Sequence, residues 1–267
     1  MRATTRKLVK SLVPHFIREL RNNRIAKEII RQQKLEKKLH SAVGGVILSG
    51  PFQGLFYSDD SCGSMLGPKL LGIYEKEIHS VIQEIIATQY EHIIDVGAAE
   101  GYYAVGLLKV CHQSVVTGFE SSPEGRKSLL AMAARNGLSD RLTVLGFCDV
   151  DALSFALRGQ SKELIICDVE GFEKELLDPV LLPRLRDVNI LVEVHDFVDI
   201  NISSTLRERF ADTHEIRCFQ SVGRKVADLP VISGFSTNEM MCVASERRPC
   251  TMEWFWMKRK KPSRTGR

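Results

Sequence analysis

The sequence predicts an α/β protein: a doubly wound, mostly parallel seven-stranded sheet carrying a helical N-terminal extension. Two observations predict it. From His92 onward five short apolar runs, HIIDV, VVTGF, LTVLGF, ELIICDV and NILVEV, alternate with stretches of helical spacing, and two weaker runs, HEIRCF and MMCVA, follow. Near-continuous apolar runs between amphipathic helices belong to parallel strands buried on both faces, because each crossover helix covers one face. The second observation is a glycine-containing turn, DVGAAEGYY, that joins the first run to a helix beginning near Tyr102. In such sheets ligands sit outside the carboxyl ends of the strands, where strand order reverses. Functional residues are therefore expected directly after each run.

The segments before the sheet are read in order. Residues 16–39 set Phe16, Ile17, Leu20, Ile25, Ile29 and Ile30 among basic residues at near-helical spacing, so residues 1–40 are expected to form a basic helical arm. Residues 41–57, SAVGGVILSGPFQGLFY, are glycine-rich with short apolar runs and predict strands or loops. Helical spacing resumes with Leu70, Leu71, Ile73, Ile78, Val81, Ile82 and Ile85. Residues 41–90 thus read as a lead-in segment, 91–257 as the main domain and 258–267 as a basic, disordered tail.

Composition narrows the class. A chain of 267 residues can bury one sizeable core with a modest extension, and 44% hydrophobic with 26% charged residues excludes a disordered or fibrous chain. The net charge of +4 is unevenly spread: residues 1–40 carry +9, residues 258–267 carry six basic and no acidic groups, and residues 41–257 carry −11. Basic ends of this kind suit weak contact with nucleic acid or an anionic membrane. Seven cysteines without a C-x-x-C pair argue against a disulfide framework or a thiolate zinc site. Cys148 and Cys167 lie in or at the ends of apolar runs and read as buried thiols. No apolar stretch reaches the ~18 residues of a membrane span. The first residues, rich in Arg and Lys and without an acid until Glu19, also fit a mitochondrial presequence; the cytoplasm is the expected compartment.

Chemistry concentrates at the strand ends. Asp95 closes the first run, Gly97 and Gly101 lie in the turn, and Glu120 closes the second run 19 residues past Gly101. An acid about 20 residues beyond a glycine turn suits hydrogen bonds to ribose hydroxyls. A dinucleotide site would use G-x-G-x-x-G, with a pyrophosphate on backbone N–H groups, and here the second glycine is missing. Asp95 and Glu100 place carboxylates beside the turn, repelling a pyrophosphate and favouring a ligand with sulfonium and ammonium groups. One such pair at ~4 Å and an effective dielectric of ~20 amounts to about 4 kcal/mol before desolvation. S-adenosylmethionine (SAM) is accordingly the expected cofactor. Asp149, ending the third run, either accepts a hydrogen bond from an adenine amino group or caps the next helix. Asp168 and Glu170 end the fourth run, and Glu193, His195 and Asp196 lie at the end of the fifth. Neighbouring strands would gather them over the cofactor edge as the acceptor site.

There Asp168, Glu170, Glu193 and His195 are the candidate catalytic residues, with His195 the general base for a hydroxyl acceptor because its ordinary pKa lies near working pH. Asp168, Glu170, Glu193 and Asp196 could alternatively hold a magnesium ion. Their spacing carries no metal-loop signature, and no metal is expected. Tyr102, Tyr103 and the MEWFW segment are candidates for lining an acceptor pocket or for the core.

With these residues on the page, the D-V-G-A-A-E-G turn and a Glu on the second strand resemble class I SAM-dependent methyltransferases. Within them, DVEGFEKELL (168–177) followed by ILVEVHD (190–196) is similar to the FkbM-type group. LGPKLLGIYEKEI (66–78) and ERRPCTMEW (246–254) also look like segments of bacterial homologues of unassigned substrate, and the resemblance covers roughly residues 45–255. It implies a Rossmann-like methyltransferase fold with an antiparallel strand inserted near one edge, for which MMCVA (240–244) is the candidate. It also implies that Asp95, Gly97, Ala98, Ala99 and Gly101 hold the methionine moiety, Glu120 the ribose, and Asp149 with its neighbours the adenine, with Asp168 facing the methyl-transfer region. Ala99 departs from the commonest pattern, standing where a second glycine often lies. The expected function is O-methylation of a small or carbohydrate- or lipid-linked acceptor. A nucleic-acid or protein methyltransferase guided by the basic ends, and a non-catalytic nucleotide-binding protein, are the alternatives.

Overall fold

The computed structural model describes residues 15–59, 61–159 and 162–260, and in it each apolar run from His92 to Val194 forms a strand. These are β1 (His92–Val96), β2 (Val115–Phe119), β3 (Leu142–Leu145), β4 (Glu163–Cys167) and β5 (Asn189–Val194). With β6 (His214–Gln220) and β7 (Glu253–Arg259) they make one seven-stranded sheet in the order β3-β2-β1-β4-β5-β7-β6. The first five strands pair in parallel, and β7 runs antiparallel to both β5 and β6. Strand order reverses between β1 and β4, so their carboxyl ends, Val96 and Cys167 side by side, define the switch point.

The two-residue period of each strand divides the core into two layers. Ile93, Val116, Leu164, Ile166 and Leu191 face one side, with α3 (His79–Thr88), α4 (Tyr102–Val110) and α5 (Pro123–Arg135). Ile94, Phe119, Ile165, Cys167, Ile190 and Val192 face the other, against α6 (Val150–Ala156), α7 (Glu173–Leu176) and α8 (Ile202–Phe210). Continuous apolar runs were the expected signature of this double covering.

The last strand is not the one the sequence suggested. MMCVA is the last part of the helix α9 (Thr237–Val243) with its C-cap Ala244, and this helix opens on a reciprocal capping box between Ser236 and Glu239. The S-x-x-E spacing was the signal for a helix start. The inserted antiparallel strand is instead EWFWMKR, with Trp254 and Trp256 in one core layer and Phe255 and Met257 in the other. The MEWFW aromatics are therefore core residues rather than pocket lining. Lys258 and Arg259, assigned to a disordered tail, are paired strand residues held by Glu84 (2.7 Å) and Asp187 (2.9 Å); residues 261–267 lie outside the described residues.

Within the basic arm, α1 (His15–Ala42) docks through Gln32, Leu35, Glu36 and Leu39, an i, i+3, i+4, i+7 face, against α2 (Leu66–Leu71) and α9. Residues 1–14 lie outside the described residues. Leu39, Leu55, Tyr57, Leu70 and Leu71 share one core layer with the sheet, so the lead-in segment packs as part of the main fold. Among the described residues no helix is long and apolar enough to cross a membrane. Because β7 contributes to both layers, Trp256→Ala is expected to cost about 3–5 kcal/mol in urea unfolding.

Candidate active site

A cleft of about 750 Å³ opens at the switch point, bordered by the ends of β1, β2, β4 and β5 and by residues 62–64, 74 and 246–249. Its floor is the turn after β1. Gly97 adopts φ +85°, and a Cβ there would lie 1.8 Å from the carbonyl oxygen of Asp168. The turn thus needs glycine because β1 and β4 meet backbone against backbone. Ala99 occupies the left-handed region at φ +47°, a conformation that disfavours a Cβ by roughly 1–2 kcal/mol. Gly101, expected to let a ligand or backbone approach, is instead crowded by Leu129 and Val105 side chains and serves helix packing.

The backbone N–H groups of residues 97–99 and 101 are committed within the protein. Gly97 and Ala98 both donate to the Phe119 carbonyl at 2.9 Å, and Ala99 donates to Glu120 Oε2 at 2.9 Å. Glu120 Oε1 accepts the Ser122 N–H at 2.7 Å, so this carboxylate ties the β1 and β2 turns together while each oxygen keeps a further lone pair.

Asp95 is buried beneath the turn and lines the cleft. It accepts the Ala104 N–H, while its Oδ2 meets no partner. Burial, with the nearby charge of Glu120, pushes its pKa up to about 7.

Glu100 corrects the sequence reading. It borders the cleft, yet its carboxylate is spent on the protein: Lys69 Nζ at 2.5 Å, Tyr57 Oη at 2.6 Å, Ser61 Oγ at 2.8 Å and the Cys62 N–H at 2.9 Å. Burial opposes its charge, but Lys69 and these donors hold its pKa at about 2. It binds the lead-in segment to the turn and adds no net charge for a ligand. Asp149 is likewise reassigned: its Oδ1 caps α6 on the Ala152 N–H at 2.8 Å, and it stands outside the cleft lining. Its neighbours Phe147 and Cys148 do line the cleft, Phe147 being 62% exposed and tilted against Phe172 at 5.7 Å.

The expected acceptor residues are brought together. His195, 2% exposed, places Nε2 at 3.5 Å from Asp168 Oδ1, 3.4 Å from Glu170 Oε2 and 3.9 Å from Glu193 Oε2. Asp196 turns away to the Ser203 N–H (2.9 Å) and hydroxyl (2.6 Å). Burial of its inner oxygen, with the charges of Glu75 and Glu170, pushes Asp168 up to about 8. Burial and the charges of Asp168 and Glu75 push Glu193 up to about 9. For His195 burial opposes the charged form, but the hydrogen bond and charge of Glu173 prevail and raise its pKa. This shift works against the general-base role read from its ordinary pKa.

Several residues of the site were not found from sequence. Glu173, fully buried, accepts from His195 Nδ1 at 2.6 Å and fixes the ring; an acid in a helix's first turn reads as dipole complement, which hid it. Arg248 bonds Glu193 through Nη1, Glu75 through Nη2 at 2.5 Å and Glu246 through Nε at 2.9 Å. Tyr103 donates to Glu75, and of the two alternatives left open for Tyr102 and Tyr103 both hold, since they pack in one core layer and line the cleft. The signals were ERRPC and GIYEKE, motifs noted without roles.

The Lys69–Glu100 pair yields a test. Removing one partner of a buried pair costs about 3–5 kcal/mol, whereas replacing both by neutral groups costs less. Lys69→Met should therefore destabilise the protein in urea by that amount, and Lys69→Met/Glu100→Gln by less. Since folding depresses the Glu100 pKa from 4.5 to about 2, its stabilisation is present above pH 4.5 and lost as pH falls from there through 2.

No protein-family model matches the chain, and no curated protein does. Solved structures are similar in arrangement. They include an O-methyltransferase from Bacillus cereus in complex with SAH (13% identity, 66% of this chain and 78% of that one, TM-score 0.45). A second is an O-methyltransferase from Streptomyces achromogenes in complex with SAM (12% identity, 66% and 77%, TM-score 0.46). A third is the methyltransferase FkbM from Methylobacillus flagellatus (15% identity, 63% and 44%, TM-score 0.43). At these identities and scores they stand as likenesses only, and the strand order above is this chain's own.

Proposed function

We propose that the chain is a SAM-dependent methyltransferase acting on an oxygen acceptor, with the cleft at the β1–β4 switch point as its active site. One observation carries the reading. The amides of residues 97–99 are already donated to Phe119 and Glu120, while the buried Asp95 Oδ2 has no partner. A pyrophosphate needs free amides at such a turn; a ligand with an ammonium and a sulfonium needs carboxylates. The cleft volume suits a nucleoside-sized ligand, since small-molecule sites span roughly 300–1,000 Å³.

The residues fit SAM in this way. Asp95 would take the ammonium end, with Gly97, Ala98, Ala99 and Gly101 shaping the turn beneath it. Glu120 would meet the ribose with its remaining lone pairs, and Phe147 and Cys148 would border the adenine. When bound, SAM supplies a methyl group on cationic sulfur, open to displacement by a nucleophile. The chain's part is alignment, which in well-oriented systems amounts to ~7–11 kcal/mol. Asp168 and Glu193, side by side at the ends of β4 and β5, orient the acceptor hydroxyl. Glu170, 77% exposed at the mouth, takes its proton to solvent. The basic side chains that line the cleft, Lys69, Arg247 and Arg248, are each paired with a carboxylate of the protein and so are not left for phosphate groups, which favours a small or carbohydrate- or lipid-linked acceptor over a nucleic acid.

Titration calorimetry tests the reading. SAM should bind and NAD should not; NAD binding alone would overturn it. Below about pH 7 Asp95 is protonated in the free protein and must lose that proton to meet a cation. SAM affinity should therefore rise from pH 6 to pH 8, by up to about tenfold per unit below the pKa, and Asp95→Asn should both weaken binding and flatten the slope. A pH-independent affinity in the unmodified protein would remove Asp95 from the cofactor site.

A further inference from the structure

The groups around His195 Nε2 are spaced as ligands of a shared centre. One donor atom from each of Asp168, Glu193 and His195 lies within 4.8 Å of the others. Donors each about 2.0–2.2 Å from one ion stand roughly 3–3.6 Å apart, and His195 Nε2 is 3.5 Å from Asp168 Oδ1 and 3.9 Å from Glu193 Oε2. A second observation is independent of the acidic cluster. The His195 side chain is 98% buried, its one ring hydrogen bond among the described residues is from Nδ1 to Glu173, and Nε2 is aimed among carboxylate oxygens without a hydrogen bond to any of them. Asp168 Oδ1 is likewise buried without a hydrogen-bond partner. In its neutral form a histidine whose Nδ1–H is held by a buried carboxylate presents the Nε2 lone pair forward, the arrangement that orients a metal-ligating imidazole. Glu193 is anchored from behind as well, since Arg248 takes its Oε1 and leaves Oε2 towards Nε2.

We infer that Asp168, Glu193 and His195 form a binding site for a divalent first-row transition-metal ion, with Glu173 orienting His195. The donor set narrows the ion: one imidazole nitrogen beside two carboxylate oxygens suits a first-row transition metal, for which Mn²⁺ is the spectroscopic probe, whereas Mg²⁺ favours an all-oxygen shell. Asp196, in the magnesium set considered from sequence, is committed to Ser203 and takes no part. On binding, the ion displaces to solvent any proton carried by His195 Nε2, Asp168 or Glu193. What the ion then does rests on the methyltransferase reading: it would hold the acceptor oxygen while Glu170, outside the ligand set, keeps its route to solvent. Its binding does not depend on that reading.

The test is Mn²⁺ added to the chelator-stripped full chain without SAM, followed by loss of the free-ion electron paramagnetic resonance signal. One ion per chain is expected, with Mg²⁺ a weak competitor. Asp168→Asn and His195→Ala should abolish binding, and Glu173→Gln, which keeps all three donors, should weaken it about 10–100-fold; near-UV circular dichroism checks that each variant is folded. No binding at millimolar Mn²⁺, equal affinity for Mg²⁺, or binding unchanged in folded Asp168→Asn and His195→Ala overturns the inference. SAM binding measured separately with EDTA keeps the two readings apart. SAM bound without Mn²⁺ leaves the methyltransferase standing and the metal site fallen, and Mn²⁺ bound without SAM does the reverse.

Discussion

The site depends on the close approach of two backbones at the point where strand order reverses. Gly97 lies so near the Asp168 carbonyl that a single added carbon would overlap it. That approach folds the β1 turn back over the sheet, where its amides fall on Phe119 and Glu120. With those donors consumed, the turn offers a ligand carboxylate oxygen in place of amide hydrogen. A small steric fact at one glycine thus fixes the chemical sign of the cleft.

The charges of the cleft are sorted into two kinds. Glu100 with Lys69, and Glu75 and Glu246 with Arg248, are paired inside the protein. Breaking such pairs is costly, although forming them gains little over apolar packing. Here they act as fasteners: Glu100 ties residues 57–69 to the glycine turn, and Arg248 ties the 246–249 loop to the end of β5. Asp95, Asp168 and Glu170 remain turned towards the cleft, with His195 held beside the last two by Glu173.

The comparison of MMCVA with EWFWMKR explains where a sequence reading fails. Both are short apolar runs, which periodicity alone cannot assign to strand or helix. The first is decided by its cap, since Ser236 and Glu239 close a box that starts a helix. The second is decided by its place between β5 and β6, where aromatic side chains fill both core layers at once. Glu100 shows the same limit for a site: beside a glycine turn it reads as a ligand group, until Lys69, distant in sequence, is found 2.5 Å away.

By itself the sequence determined the strands from His92 to Val194, the glycine-containing turn after the first of them, and the set of carboxylates at the strand ends, because these follow from periodicity and short turns. Only the tertiary structure decided which carboxylates are spent and which are open, since that depends on partners such as Lys69, Glu173 and Arg248, supplied by other parts of the fold. Residue type marks where charge can lie; burial and pairing across the fold determine what that charge is free to bind.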